Sequence, residues 1–221
     1  MPEDESDSQS LYLKLTIVIQ TTMAIGLVVF VVRQDWENVF LTLLVIALTV
    51  VPAVLKRYRI YLPPEFQLIS AAFIFLSFFL GSAGDFYYKF WWWDLALHAG
   101  SGFLFGMVGF ITLYLLNQTS RLPKGIHPTF VCFFGVTFAV FMGVIWEIFE
   151  YIVDRALPGT NMQSVETGID DTMQDLMVDI AGAAVVAAMG MAYFKSGRYS
   201  FIGDGIRAFI RRNPRLFRKR S

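Results

Sequence analysis

The sequence has a single cysteine and lacks the basic segment with which a cleaved signal peptide begins. One cysteine, Cys132, excludes an intrachain disulfide and a zinc cluster built from several thiolates. Because no basic segment precedes the first hydrophobic stretch, we expect that stretch to be retained. The chain is instead rich in apolar residues, at 56% of the composition and a mean hydropathy of +0.55. Soluble proteins contain about 45–50% apolar residues, so this excess indicates a membrane protein.

Six hydrophobic segments are each long enough to cross a bilayer, which requires about 20 residues per helix. They cover about 11–32, 36–55, 65–83, 93–116, 129–153 and 171–194. The sequence therefore predicts an all-α, polytopic membrane protein with six transmembrane helices within residues 11–195. We expect residues 91–194 to form its working core. Pro52 lies inside the second segment and predicts a kink there.

The charges are balanced in total but lie unevenly along the chain. Residues 1–10 are acidic and predicted to be disordered, whereas nine of the 18 Lys and Arg residues lie between Lys195 and Arg220. Basic residues favour the cytoplasmic side of a membrane, so both termini are predicted to be cytoplasmic. This orientation predicts a multi-pass membrane protein, with residues 196–221 as a basic cytoplasmic tail.

The basic tail also carries apolar residues between its arginines, in the stretch GDGIRAFIRRNPRLFRKR. This pattern is typical of a segment that lies on an anionic leaflet, where each basic residue contributes roughly 1 kcal/mol. The alternative is that these residues only determine topology. Nucleic-acid binding is the least favoured interpretation, so membrane lipids are the expected partners. The sequence does not indicate an oligomeric state.

Ionisable residues interrupt the last three hydrophobic segments near the same predicted face of the membrane. One such stretch is WWWDLALHAGSGFLFG, residues 91–106. The predicted topology places seven ionisable residues within about two helical turns of the outer surface: Asp94, His98, Glu147, Glu150, Asp171, Asp175 and Asp179. Each such group costs about 2.5–3.5 kcal/mol at mid-membrane and less near the interface. We therefore expect these side chains to face one another, a cation or a water-filled cleft.

Several carboxylates cannot stay ionised close together without compensation. Few cationic side chains lie on these helix faces, so two remedies remain: some of the carboxylates are protonated, or the site binds a metal ion. A divalent metal ion is the predicted cofactor. One imidazole with several carboxylates suits Mn, Mg, Ca or Fe(II), and Zn is also compatible. The predicted ligands are Asp94, His98, Glu147, Glu150, Asp175 and Asp179, with Asp94 open to a role in orienting the imidazole instead. Asp171 or Glu150 would act as the general base.

Most of these residues also have a simpler explanation. Asp94, Asp170 and Asp171 lie where helices begin and could cap them. His98 could be a hydrogen-bonded packing residue. Glu147 and, more readily, Glu150 could end their helix among the lipid headgroups. Asp175 is harder to explain in this way because it lies past the first turn of an apolar helix, as does Asp179. His127 is expected to have no role in the cluster.

Three motifs in this order resemble the YjdF-like family of bacterial inner-membrane proteins and, more remotely, the VanZ-like family. They are D-x-x-x-H from Asp94, W-E-x-x-E-Y from Trp146, and G-x-D-D-T-x-x-D-x-x-x-D-x-x-G-A from Gly168. The resemblance covers about residues 91–184. It implies a polytopic bacterial inner-membrane protein.

Three functions agree with these patterns. The first is a metal-dependent hydrolase or transferase that acts on a lipid or lipid-linked substrate in the outer leaflet. The second is a cation- or proton-coupled transporter, although the inner halves of the same helices offer few polar residues. The third is a non-catalytic membrane module in which a cation holds the helices together.

Overall fold

The structure is a computed structural model that describes residues 3–118, 125–156, 162, 168–196 and 201–216. Within these ranges all regular secondary structure is helical, which confirms the predicted all-α class. The elements run in the order α1 (Glu3–Arg33), α2 (Trp36–Thr49), α3 (Val51–Arg57), α4 (Pro64–Ile74), a π-helix (Phe75–Ala83), α5 (Phe86–Lys89), α6 (Trp93–Gln118), α7 (Pro128–Ala156), α8 (Ile169–Ser196), α9 (Phe201–Arg212) and a 3₁₀ turn (Pro214–Leu216).

Six helical segments are long and apolar enough to cross a membrane, which confirms the predicted number. They cover Ser10–Arg33, Asn38–Arg57, Pro64–Gly81, Trp93–Asn117, Pro128–Ala156 and Ile169–Lys195. The second span is divided at Val50 into α2 and α3, as expected from Pro52, which has no backbone N–H for the helical ladder. Many leucine, isoleucine, valine and phenylalanine side chains on these spans are exposed. In a membrane such a surface faces lipid rather than water.

The described residues form two compact units, the first of which extends to Trp93 and includes Ala208–Asn213. Its core contains Met23 of α1 and Val45 of α2, which are almost completely buried. Asn213 ties the end of α9 to the loop after α3. Its Oδ1 accepts a hydrogen bond from the Tyr61 backbone N–H at 2.7 Å, and its Nδ2 donates to the Tyr61 carbonyl at 2.8 Å.

The second unit comprises residues 94–207 and the chain after Asn213, and α6, α7 and α8 form its body. Two glycines bring α6 and α8 into backbone contact. A Cβ atom at Gly102 would collide with the Asp179 backbone, and a Cβ atom at Gly182 would collide with the Ala99 carbonyl. This close approach is typical of small residues in membrane helices. It brings the polar side chains of α6 and α8 within hydrogen-bond distance of each other.

The N-terminal end of the chain differs from the sequence prediction. Helix α1 begins at Glu3, so residues 3–10 are helical, whereas their acidic composition predicted disorder. A first turn rich in Glu and Asp is favourable at a helix N-terminus, which explains why the helix extends into this segment. The basic tail contains α9, and residues 217–221 lie outside the described residues. The predicted orientation of the termini stays a prediction.

Candidate metal centre

Helix α6 presents Asp94 and His98 on one face, because residues four apart in a helix lie one above the other. The two side chains approach to 3.8 Å between Asp94 Oδ1 and His98 Nε2. His98 is buried with 5% of its surface exposed, whereas the Asp94 side chain is 31% exposed. Asp94 therefore forms the accessible edge of the pair and His98 its buried end.

Helix α7 supplies two glutamates at the end of a buried face that otherwise carries small or apolar residues. The buried residues of this helix are Val131, Cys132, Gly135, Ala139, Gly143, Glu147, Glu150 and Val153. From Cys132 onward these residues are spaced by three or four positions, which marks one face of the helix. The glutamates therefore occupy core positions in the last turns of α7, where an apolar side chain would be the ordinary choice.

Helix α8 also carries acidic residues on a buried face, but they lie near its beginning rather than near its end. Its aspartates at 175 and 179 are 2% and 1% exposed, and the buried face then continues with Ala183, Val186 and Gly190. Asp170 is exposed and Asp171 is half-buried, and both lie in the first turn of the helix. The start of α6, the end of α7 and the start of α8 therefore meet at one end of the second unit.

His98 is the centre of the cluster, and its two ring nitrogens face different carboxylates. Nε2 lies 3.8 Å from Asp94 Oδ1 and 3.8 Å from Glu147 Oε1. Nδ1 lies 3.5 Å from Asp179 Oδ2. One ligand atom each from Asp94, His98 and Asp175 lie within 4.8 Å of one another. The imidazole thus lies between carboxylates from α6, α7 and α8.

Hydroxyl and indole groups hold the carboxylates in place. Ser101 Oγ donates to Asp179 Oδ1 at 2.7 Å, and Thr172 Oγ1 donates to Glu147 Oε2 at 2.8 Å. Trp146 Nε1 donates to Glu150 Oε1 at 2.8 Å. A hydrogen bond to an ionised carboxylate is roughly twice as strong as one between neutral groups. These hydrogen bonds orient the buried oxygens but supply no positive charge.

In the described residues, four carboxylates of the cluster have no lysine or arginine partner. Within the described part of the chain, no Lys or Arg nitrogen lies within 4.0 Å of a carboxylate oxygen of Asp94, Glu150, Asp175 or Asp179. The ion pairs made by Lys89 and Arg207 lie elsewhere, with Asp85 and Asp204. Buried carboxylates are ordinarily paired with a cation or bound to a metal ion. Within the described residues, His98 is the basic side chain that lies within 4.0 Å of Asp94 and Asp179.

The structure brings together five of the six predicted ligands, namely His98 and the four carboxylates near its imidazole: Asp94, Glu147, Asp175 and Asp179. Glu150 lies one turn further along the buried face of α7 and is held by Trp146. Asp171, predicted as a base, is a turn before Asp175. His127 lies at the start of α7, where its Nδ1 accepts a hydrogen bond from the Thr129 N–H at 3.3 Å, so it caps that helix.

Three contact residues of the cluster were not predicted from the sequence: Ser101, Trp146 and Thr172. Ser101 follows His98 by three residues and Asp94 by seven, and this spacing places all three on one helical face. This spacing could have identified Ser101 as a neighbour of the cluster from the sequence. Trp146 and Thr172 lie beside predicted ligands in the motifs, but neither motif indicated which carboxylate each would contact.

Comparisons with known proteins agree with a membrane protein. The sequence profile of a family described as "Predicted membrane protein (DUF2238)" matches residues 15–196. A Thermotoga maritima protein described as "Uncharacterized protein" is 31% identical over 138 residues, which are 62% of this chain and 67% of the relative. No solved structure matches the chain. These matches lend no support to the VanZ-like resemblance.

Proposed function

The chain belongs to the DUF2238 family of predicted membrane proteins, and on that premise we propose that it is a metal-dependent membrane enzyme. In this proposal a divalent cation binds at one end of α6, α7 and α8, and the substrate is a lipid or a lipid-linked molecule. The matched range, residues 15–196, covers the positions of all three motifs of the YjdF-like resemblance, and we therefore extend the proposal to that group. A cytoplasmic membrane is the proposed location, with the site in its outer leaflet.

The spacing around His98 Nε2 is the observation that carries the proposal. Its distances of 3.8 Å to Asp94 Oδ1 and Glu147 Oε1 are longer than a hydrogen bond. Zinc bonds to nitrogen and oxygen are about 2.0–2.2 Å long, so two ligand atoms of one zinc ion lie at most about 4.3 Å apart. Calcium, with bonds of about 2.3–2.6 Å, allows about 5.2 Å. A cation between these atoms therefore needs only small side-chain movements.

The donor set favours a hard divalent cation. One imidazole nitrogen with carboxylate oxygens suits Mn²⁺, Mg²⁺, Ca²⁺ or Fe²⁺, while Zn²⁺ accepts the same donors. Asp94, His98 and Asp175 are the ligands that the proposal places first, because their ligand atoms lie within 4.8 Å of one another. Glu147 is the next candidate, through Oε1.

The exposed edge at Asp94 is where a substrate would approach, because the other carboxylates near His98 are buried. A bound cation would polarise an ester or phosphoester oxygen, or activate a water molecule. A carboxylate of this chain would then take the proton from the attacking water. Asp171 is half-buried and Glu150 is buried against Trp146, and both stay proposed general bases.

A transporter is less well supported than an enzyme. Beyond the cluster, the buried face of α7 continues with Gly143, Ala139 and Gly135, and that of α8 with Ala183 and Val186. A proton or ion relay needs a series of polar or ionisable groups along its route. The described buried faces of α7 and α8 offer apolar or small residues there, with Cys132 as the one ionisable side chain.

The second candidate function is structural: a cation that only holds α6, α7 and α8 together. It is favoured by the burial of His98, Asp175 and Asp179, each 5% exposed or less. Structural metal sites are closed, whereas catalytic sites keep one position open. The two candidates therefore differ in whether the exposed side of the site, at Asp94, is open to a substrate.

Cation loading tests the proposed site. The detergent-purified protein is incubated with Mn²⁺ or Zn²⁺, freed of excess ion and measured by elemental analysis. We expect about one ion per chain in the wild type and a loss of most of it in His98→Ala, because one ligand of the site is removed. The matched control is His127→Asn, which removes the other histidine and keeps a capping side chain. Equal loading of wild type and His98→Ala would refute the site.

A lipid-turnover assay distinguishes the proposed enzyme from a protein with a purely structural cation. Metal-loaded protein is incubated with a polar lipid extract, and the products are followed by mass spectrometry. An enzyme should give a metal-dependent product that disappears in Asp94→Asn, while the bound ion is partly retained. If the cation is purely structural, the protein should give no product, and Asp94→Asn should lower only the melting temperature.

A further inference from the structure

The positions of the two His98 ring nitrogens assign different roles to the carboxylates around them. Asp94 and Glu147 lie on the Nε2 side at 3.8 Å, and Asp179 lies on the Nδ1 side at 3.5 Å. Because these nitrogens lie on different sides of the ring, a cation bound at Nε2 is on the far side of the imidazole from Asp179. Asp179 therefore cannot share a small cation with Nε2.

We propose that Ser101 and Asp179 form a positioning pair that holds His98 with its Nδ1–H toward Asp179 and its Nε2 toward the cation. This inference rests on the proposed cation site and changes the role of Asp179 from ligand to orienting partner. It also gives Ser101 a role. Histidine ligands of metals ordinarily donate their second N–H to a carboxylate or carbonyl, which fixes the tautomer and the ring orientation.

The single proton of Ser101 is the first support for the pair. Ser101 Oγ lies 2.7 Å from Asp179 Oδ1 and 2.9 Å from the His98 carbonyl. A hydroxyl group has one proton, and both of these oxygens are acceptors when Asp179 is ionised. The bond to the carboxylate is the shorter one and is assisted by charge, so we assign the proton to it. Oδ1 is thereby occupied, and Oδ2 is the oxygen left to face the imidazole.

The tight packing around Asp179 is the second support. Its backbone lies against Gly102, where a Cβ atom would come within 2.6 Å of the Asp179 Cα. Its carboxylate lies against Gly143, where a Cβ atom would collide with Oδ2. With 1% of its surface exposed, Asp179 has no room to turn toward Asp94 and Glu147. The side chain is therefore held on the Nδ1 side by packing as well as by Ser101.

The geometry also explains why a serine is suited to position 101. Residues 98 and 101 are three apart, so the hydroxyl lies on the same face of α6 as the imidazole. From there it reaches across to α8, while the imidazole reaches α7 through Nε2. Alanine at this position would leave Oδ1 of Asp179 without its donor, and packing alone would then orient the carboxylate toward Nδ1.

Cadmium NMR tests the pair on the full-length chain. ¹⁵N-histidine-labelled protein carrying His127→Asn is loaded with ¹¹³Cd²⁺, so that His98 is the one labelled residue. We expect ¹¹³Cd–¹⁵N coupling at Nε2 and a protonated Nδ1. Coupling at Nδ1 would overturn the proposal, because it would place the cation on the Asp179 side. Absence of Cd²⁺ binding in the wild type would overturn the cation site itself.

Variants at position 101 provide a second test, which does not require the NMR signals of the two His98 ring nitrogens to be assigned. Ser101→Ala should lower Cd²⁺ affinity about 10-fold, in the range found when outer partners of metal ligands are removed. Ser101→Thr keeps the hydroxyl and should restore most of the affinity. Thr137→Ala is the matched control, since its hydroxyl donates only to the Phe133 carbonyl on an exposed face of α7. Equal affinity of Ser101→Ala and wild type would contradict the pair.

Discussion

Asp175→Asn should lower the affinity for Mn²⁺ by about 100-fold or more and at the same time raise the melting temperature of the cation-free protein. Asp175 is 2% exposed and has a ligand atom within 4.8 Å of ligand atoms of Asp94 and His98. Asparagine has nearly the same shape but no charge, so it is a poorer ligand for a hard cation. Without the cation, removing one of several clustered carboxylates relieves repulsion within a buried site.

The opposite signs of the two effects make this variant informative. Isothermal titration calorimetry gives the affinity, and thermal unfolding with and without Mn²⁺ gives the stability. In the wild type, Mn²⁺ at 100 times its Kd should add about 2.7 kcal/mol of stability, whereas at that concentration the variant should gain little. Asp170→Asn is the matched control, because Asp170 is exposed in the first turn of the same helix. A loss of stability in cation-free Asp175→Asn would show that the residue is merely structural.

Gly143→Ala should destabilise the protein by about 1–3 kcal/mol and lower the cation affinity about 10-fold. A Cβ atom at this position would collide with Asp179 Oδ2 and lie 3.2 Å from its Cγ. Overpacking of this kind displaces a neighbouring side chain. The displaced group here is the carboxylate that faces His98, so one added methyl group on α7 should disturb the orientation of a ring on α6.

A double-mutant cycle with Asp179→Ala shows whether the collision is the cause. In the Asp179→Ala background the carboxylate is absent, so the added methyl group should cost much less than in the wild type. The expected coupling energy is about 1–3 kcal/mol, as found for residues in direct contact. Thermal or denaturant unfolding of the four proteins in one detergent gives this value. Additive effects of the two substitutions would contradict the contact between Gly143 and Asp179.

The six spans and the ionisable residues of the cluster could be predicted because both follow from local rules. The length of an apolar segment determines whether it can cross a membrane, and the spacing of Asp175 and Asp179 determines that they share a helical face. The predicted topology then places the start of α6, the end of α7 and the start of α8 at the same depth in the membrane. Composition at the N-terminus was less informative, since α1 begins at Glu3 within a segment that was predicted to be disordered.

The roles of individual residues around His98 could not be predicted, because they depend on rotation of helices about their axes. Sequence spacing shows that Asp94 and His98 share a face, but not which ring nitrogen faces Glu147 and which faces Asp179. The glycines at 102 and 143 decide how deeply Asp179 is inserted, and these contacts join residues distant in sequence. The sequence therefore predicted Asp179 as a ligand, whereas the geometry favours an orienting role.

Anomalous X-ray diffraction from crystals grown with Zn²⁺ tests most directly whether buried groups of three helices share one cation. We expect a single strong peak about 2.0–2.1 Å from His98 Nε2, with carboxylate oxygens of Asp94 and Asp175 also within bonding distance. Asp179 should lie on the opposite side of the ring and accept a hydrogen bond from Nδ1. A structure without a peak at His98, or with these carboxylates directed apart toward lipid, would contradict the shared site.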